Sequence, residues 1–225
     1  AARMKVPRVV YTSSTAAVGS TPKGREKTES DWNQNALLPY TQAKTQSEKL
    51  AWEIAEKSEL DLRVINPTAV LGGGFDRPTP SVDFIEDAIR GKIPVSLKIP
   101  MSFVHVKDVA EAHRKAAEIE EANGRYICAP HVNMTLADLF KKIKQIFPET
   151  KAPQKALPNV LLPLAVFQDW IGSKISKRSR RLTRNMVRGF FRGDASYDSS
   201  KAKNELGMDW IDFETCVKDT VEAFL

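Results

Sequence analysis

The chain has 225 residues, 42% of them apolar and 28% charged, with a net charge of +6 at neutral pH. That balance is ordinary for a globular protein and excludes a disordered or collagen-like chain. Two cysteines, Cys128 and Cys216, are too few for a disulfide framework, three scattered histidines imply no metal site, and no run approaches the ~20 apolar residues of a spanning helix.

Thiols of this number point to a reducing compartment, expected to be the cytoplasm. Taken in order, Arg8-Val-Val-Tyr-Thr-Ser-Ser14 reads as a strand ending in hydroxyls. It is apolar on both faces, as parallel strands covered on two sides are. A polar loop from Gly19 to Asn35 follows. Pro39 suits the first turn of a helix running to about Ser58, with Leu50, Trp52 and Ile54 as its apolar side. Glu48, Lys49, Glu53, Glu56 and Lys57 lie between them. A strand near 61–66 ends at Asn66-Pro67, and Gly72 to Gly74 open a flexible loop.

Further along, a helix near 80–90 is stopped by Gly91. Ser102 to Val106 is a short strand, Lys107-Asp108 starts a helix to about Glu121, and Gly124 to Ala129 is another strand. Thr135 caps a helix that ends before Pro148. This alternation predicts an α/β fold, the later portion of a doubly wound parallel, Rossmann-like sheet, over residues 1–150.

Residues 151–225 are expected to form a small, mainly helical substrate region. Leu157 to Ile171 is strongly apolar and includes Phe167 and Trp170. Lys174, Lys177, Arg178, Arg180, Arg181, Arg184, Arg188 and Arg192 follow, so that residues 151–193 carry +9 and the basicity is local. Such a segment permits peripheral membrane contact. Pro163 and Asp169 disfavour a continuous inserted helix, however, and a substrate lid or a homodimer contact is preferred. Nucleic acid is not expected, because the basic run lacks interleaved aromatics. Ser199 is expected to cap a short helix to Leu206, and Asp212 a closing helix to Leu225.

The chemistry is concentrated in Tyr40-Thr-Gln-Ala-Lys44. A tyrosine and a lysine four apart on a helix share one face. A free phenol titrates near 10, too high for proton transfer at neutral pH, and a nearby ammonium favours its anion. With Ser14 converging on that face to hold a substrate oxygen, the three side chains would form a proton-transfer site for a carbonyl or alcohol. The hydride would need a cofactor, since no side chain supplies one. Spacing alone fits an ordinary amphipathic helix better. The strand–helix–strand order around it is what points to chemistry.

Five segments in this order resemble the extended short-chain dehydrogenase/reductase family, in particular its dihydroflavonol-reductase-like and NAD-dependent epimerase/dehydratase branches. They are Val9 to Val18, Tyr40 to Lys44, Asn66 to Gly72, Phe103 to Ala112 and Tyr197 to Gly207. The resemblance implies Ser14 as the substrate-oxygen donor, Tyr40 as general acid/base and Lys44 as the ribose-binding residue beside Tyr40. It also implies that Ser13, Pro67, Thr68 and Val70 line a nicotinamide pocket for NADP or NAD, leaving His105 and Asp108 with a substrate-side or structural role.

The expected activity is an NAD(P)-dependent reduction of a ketone or aldehyde, or the reverse. The alternatives are a nucleotide-sugar epimerase or dehydratase, and a non-catalytic accessory subunit. The Gly-rich turn that cradles a pyrophosphate is not found, and Gly72 to Gly74 lack its spacing. The chain is therefore expected to be the C-terminal part of a longer protein, with roughly a hundred residues preceding it. Alone, it is expected to leave its first strand's edge open and to hold no dinucleotide.

Overall fold

A computed structural model describes residues 1–20, 25–74, 80–175, 182–191 and 194–225. The first strand, β1 (Arg8–Thr12), leads through a single-turn helix, α1 (Thr15–Val18), and the polar loop into the long helix α2 (Pro39–Ser58). Then come β2 (Asp61–Pro67), β3 (Ala69–Leu71), α3 (Pro80–Ile89), β4 (Ser96–Leu97), β5 (Pro100–His105) and α4 (Val106–Glu118). The remainder is β6 (Gly124–Cys128), β7 (His131–Thr135), α5 (Leu136–Ile146), β8 (Ala156–Leu157), α6 (Leu162–Ile175), α7 (Arg184–Phe190), α8 (Ser200–Leu206) and α9 (Phe213–Glu222).

Parallel strands need cover on both faces, and the central strand shows it: Leu62 to Pro67 are all buried. The main sheet has the order β1-β2-β6, wholly parallel. Tyr11 pairs with Val64 in register, and Val64 with Arg125. Among the described residues β1 has one strand neighbour, β2, and its Val9, Val10 and Tyr11 are only half-buried. A second sheet runs β3-β5-β7, with β5 and β7 antiparallel, and β4 pairs with β8. β3 falls within what the sequence suggested was only a post-strand loop. The chain breaks at Thr68, whose N–H and hydroxyl both donate to the Cys128 carbonyl, and then resumes as a strand of the second sheet.

Not every helix end is as expected: Ser199 opens α8 without a side-chain cap bond, its Oγ accepting from Ala129 N at 3.0 Å. Thr135 and Asp138 form a reciprocal capping box on α5, and Asp212 caps α9 through Thr215 N. The cap of α4, however, is His105, whose Nδ1 accepts from Lys107 N at 3.0 Å. Asp108 instead accepts from Ile211 N at 3.1 Å and ties the first turn of α4 to the C-terminal region. At the other end of α4, the buried guanidinium of Arg63 donates to the carbonyls of Ala116, Ile119 and Glu120. Ala116 lies in the last turn of α4, whose carbonyls lack intrahelical partners, and Ile119 and Glu120 follow it directly, so a cation in the middle of an apolar strand is accounted for.

The core runs across residue 150. Leu71, Ile85, Phe103, Phe140 and Ile143 pack with Val217 and Val221 of α9. Ile65, Val104, Ala112 and Tyr126 pack with Ala202 and Leu206 of α8. Cys128 and Cys216 are buried free thiols, and burial pushes Cys216 up to about 12. Of the expected basic stretch, Lys177, Arg178, Arg180, Arg181 and Arg192 lie outside the described residues.

Of the glycines after β3, Gly72 and Gly73 are positions of close approach, whereas Gly74 faces open space. Gly72, at φ 120°, donates its N–H to Thr220 Oγ1 at 2.7 Å. A Cβ there would stand 2.7 Å from Val106 Cγ1 and 3.0 Å from His105 Nε2. Gly72→Ala is therefore expected to destabilise the fold by about 2–4 kcal/mol, from backbone strain and overpacking together. Thermal unfolding of the variant against wild type measures it, and an unchanged midpoint would refute the assignment.

Candidate active site

β1 ends in Thr12, and Ser13 continues the sheet pairing through its N–H to the Ile65 carbonyl at 2.8 Å. Ser14 is extended and caps α1, its Oγ accepting from Ala16 N at 3.1 Å. α2 starts with Pro39, whose missing N–H costs nothing in a first turn. Tyr40 thus lies on the first turn of α2 and Lys44 on the second, one above the other.

The Lys44 ammonium reaches the end of β1, 3.4 Å from the Ser13 carbonyl oxygen and 3.5 Å from that of Thr12. That places its charge at the peptide adjoining Ser14. Both contacts are long and Lys44 is only half-buried, so the ammonium keeps donor capacity for a ligand. Tyr40 is 59% exposed, and its phenol has no hydrogen-bond partner among the described residues. The structure therefore joins Lys44 to the Ser13–Ser14 peptide and leaves the Tyr40 side chain exposed on the first turn of the same helix. Tyr197, which lines the cavity beside α1, is half-buried, and burial pushes it up to about 12 against a hydrogen bond with Thr15.

The expected pocket residues fall in two groups. Pro67 is buried at the end of β2, and Thr68 is bound to Cys128 as described. Val70 packs its side chain into the core with Val104 and Tyr126. Ser13 is 3% exposed, and its hydroxyl is directed into a buried network, donating to Glu48.

That network is the part of the site the sequence did not reveal. Glu48 sits one turn beyond Lys44 in the same row and is 0% exposed, not on the solvent side as its charge suggested. One oxygen accepts from Ser13 Oγ and from Asn66 Nδ2 at 2.8 Å; the other accepts from Arg125 Nε at 2.6 Å and from Trp52 Nε1 at 3.5 Å. Asn66 Nδ2 also donates to the Ser14 carbonyl at 3.2 Å. Arg125, on β6, holds the polar loop through the carbonyls of Glu29 and Asp31 and stacks over Trp32 at 4.1 Å. Glu48 and Arg125 thus fix the Ser13–Ser14 turn from behind. The available signal was a charged residue inside the otherwise apolar strand Gly-Arg-Tyr-Ile-Cys.

Leu50 and Ile54, expected to face the core, are 55% and 47% exposed. The inward face of α2 carries Thr45, Glu48, Ala51 and Ala55 instead, small or hydrogen-bonding groups. A cavity of about 170 Å³ adjoins the turn, lined by Ala16, Asn33, Leu38, Thr41, Gly189 and Tyr197 among others.

Residues 1–129 match the model of the NAD dependent epimerase/dehydratase family. Cinnamoyl-CoA reductase 2 of Medicago truncatula is 35% identical over 164 residues, 68% of this chain and 48% of its own length. A putative dihydroflavonol 4-reductase of Synechocystis sp. is 28% identical across 97% of this chain and 64% of its own. Gre2 from Candida albicans, solved in complex with NADPH, superposes with a TM-score of 0.69 at 27% identity, over 97% of this chain and 64% of that one. The chain thus spans about half to two thirds of the length of these proteins.

Proposed function

We propose, starting from a chain that belongs to the NAD dependent epimerase/dehydratase family, that the whole protein is an NAD(P)-dependent oxidoreductase. It reduces a ketone or aldehyde, or oxidises the matching alcohol, on a medium-sized organic substrate. The observation that carries this is the placement of the Lys44 ammonium on the carbonyls of Thr12 and Ser13, next to Ser14, with the Tyr40 phenol open on the same helix face.

A nicotinamide, when bound, supplies or accepts the hydride. The donors of this chain suit its ribose end: Lys44 has free N–H valences at the strand terminus. Tyr40 delivers the proton to the substrate oxygen during reduction and removes it during oxidation. Ser14 hydrogen-bonds that oxygen and orients it. Glu48, Asn66 and Arg125 keep the serine turn in place beneath.

The nicotinamide is that of NADP or NAD. The exposed Leu50 and Ile54 on the outer side of α2 support a homodimer. Buried free thiols support residence in a reducing compartment such as the cytoplasm.

The test is an assay of the whole protein with NADPH and NADH against aromatic and aliphatic aldehydes and ketones, with nucleotide sugars in parallel. Stoichiometric consumption of reduced cofactor with a carbonyl substrate is expected. Interconversion of nucleotide sugars without net consumption would replace the proposal by the epimerase alternative. Dinucleotide binding with no turnover of either class would favour the accessory-subunit alternative.

A further inference from the structure

The apolar helix α6 presents an outward stripe that nothing among the described residues covers. Leu164, Phe167, Ile171 and Ile175 recur at helical spacing on one side, and all four are exposed, Ile175 at 78%. Val160 and Leu161, from the turn just before the helix, extend the patch and are exposed too. The inward side carries Leu162, Val166 and Ser173.

Two sequence features had argued against an inserted helix, and the geometry removes both. Pro163 is the second residue of α6, in the first turn, where no intrahelical bond is lost. Asp169 is off the stripe and half-buried, accepting from Leu182 N at 3.1 Å, so it puts no anion on the apolar face.

Cations flank the stripe. Lys174 is exposed on α6. Arg184 and Arg188 of α7 line a groove of about 750 Å³ together with Phe167 and Trp170, which stack at 5.9 Å between ring centroids. Between Lys174 and Arg188 the sequence holds seven Lys or Arg and no acidic residue. A second copy docked through the same face would bring these like charges together. An anionic surface would not. Among the described residues no helix is long and apolar enough to cross a membrane, so contact would be at the surface.

We propose that α6 and the start of α7 form a peripheral docking face for an anionic lipid surface. The apolar stripe enters the acyl boundary, the aromatic pair lies at headgroup level, and Arg184 and Arg188 meet lipid phosphates. This stands independently of the redox chemistry.

Co-sedimentation of the whole protein with vesicles of phosphatidylcholine alone, or mixed with phosphatidylglycerol, tests it. Binding is expected on the mixed vesicles and to fall with added salt. The double variant Phe167→Ser/Ile171→Ser, whose side chains lie outside the core, is expected to weaken it by about a hundredfold with an unchanged melting temperature. Arg184→Gln/Arg188→Gln is expected to weaken it by roughly tenfold or more. Absence of binding, binding indifferent to phosphatidylglycerol, or binding unaffected by the stripe variant would overturn the proposal. So would a lipid-free dimer that the stripe variant dissociates.

Discussion

Tyr40→Phe in the whole protein is expected to lower kcat by about 10²–10⁴-fold, the usual range for loss of a positioned acid/base group. Dinucleotide affinity and thermal stability should barely change. The reason is structural: the ring stays, the residue is 59% exposed, and its hydroxyl binds nothing among the described residues. The fold therefore does not use that oxygen, and any loss of rate reports on chemistry. Lys44→Met should behave differently, because the ammonium also sits on the Thr12 and Ser13 carbonyls and is assigned to the ribose. It should raise KM for the dinucleotide as well as lower kcat. Steady-state kinetics with the cofactor as varied substrate separates the two variants. An undiminished kcat for Tyr40→Phe would remove the phenol from the mechanism.

Glu48→Ala is expected to be the most damaging single change to stability. It leaves the Arg125 guanidinium, 6% exposed, without its carboxylate. Removing one partner of a buried pair costs about 3–5 kcal/mol. At roughly 2–4 °C per kcal/mol for a chain of this size, the melting temperature should fall by about 10 °C. The same deletion frees Ser13 Oγ and one bond of Asn66, so the Ser14 turn should loosen and kcat should drop too. The double variant Glu48→Met/Arg125→Met, which removes both charges, should recover much of the lost stability. Because it does not restore the bonds to Ser13 and Asn66, it should not recover kcat. Full recovery of both would show that the network carries stability alone. A Glu48→Ala protein as stable as wild type would show that the pair is not buried as described.

Much of the fold was legible because it is written in local pattern. The helix from Pro39 to Ser58 and its proline start, the strand at Asp61, the cap at Thr135 and the stop at Gly91 follow from propensity and turn chemistry over a few residues. β3 and β7 were not legible. Each is short, and each exists because β5 pairs with it, with residues far apart in the chain. His105 as the cap of α4 was missed for a similar reason. An imidazole seldom caps a helix, and here it is held by burial and by Asp219 at 3.1 Å.

For the site, the sequence by itself determined which groups could do the chemistry. A phenol and an amine four residues apart share a helix face wherever that helix lies, because helical geometry is local. It also determined that a strand ending in serines precedes them. Only the tertiary structure decided which side of α2 turns inward. Leucine and isoleucine were left outside, while Ala51 and Ala55 allow close approach to the strands and Glu48 finds Arg125, 77 residues away. A buried carboxylate is tolerable only where such a partner and hydrogen bonds meet it, and no local pattern announces that meeting.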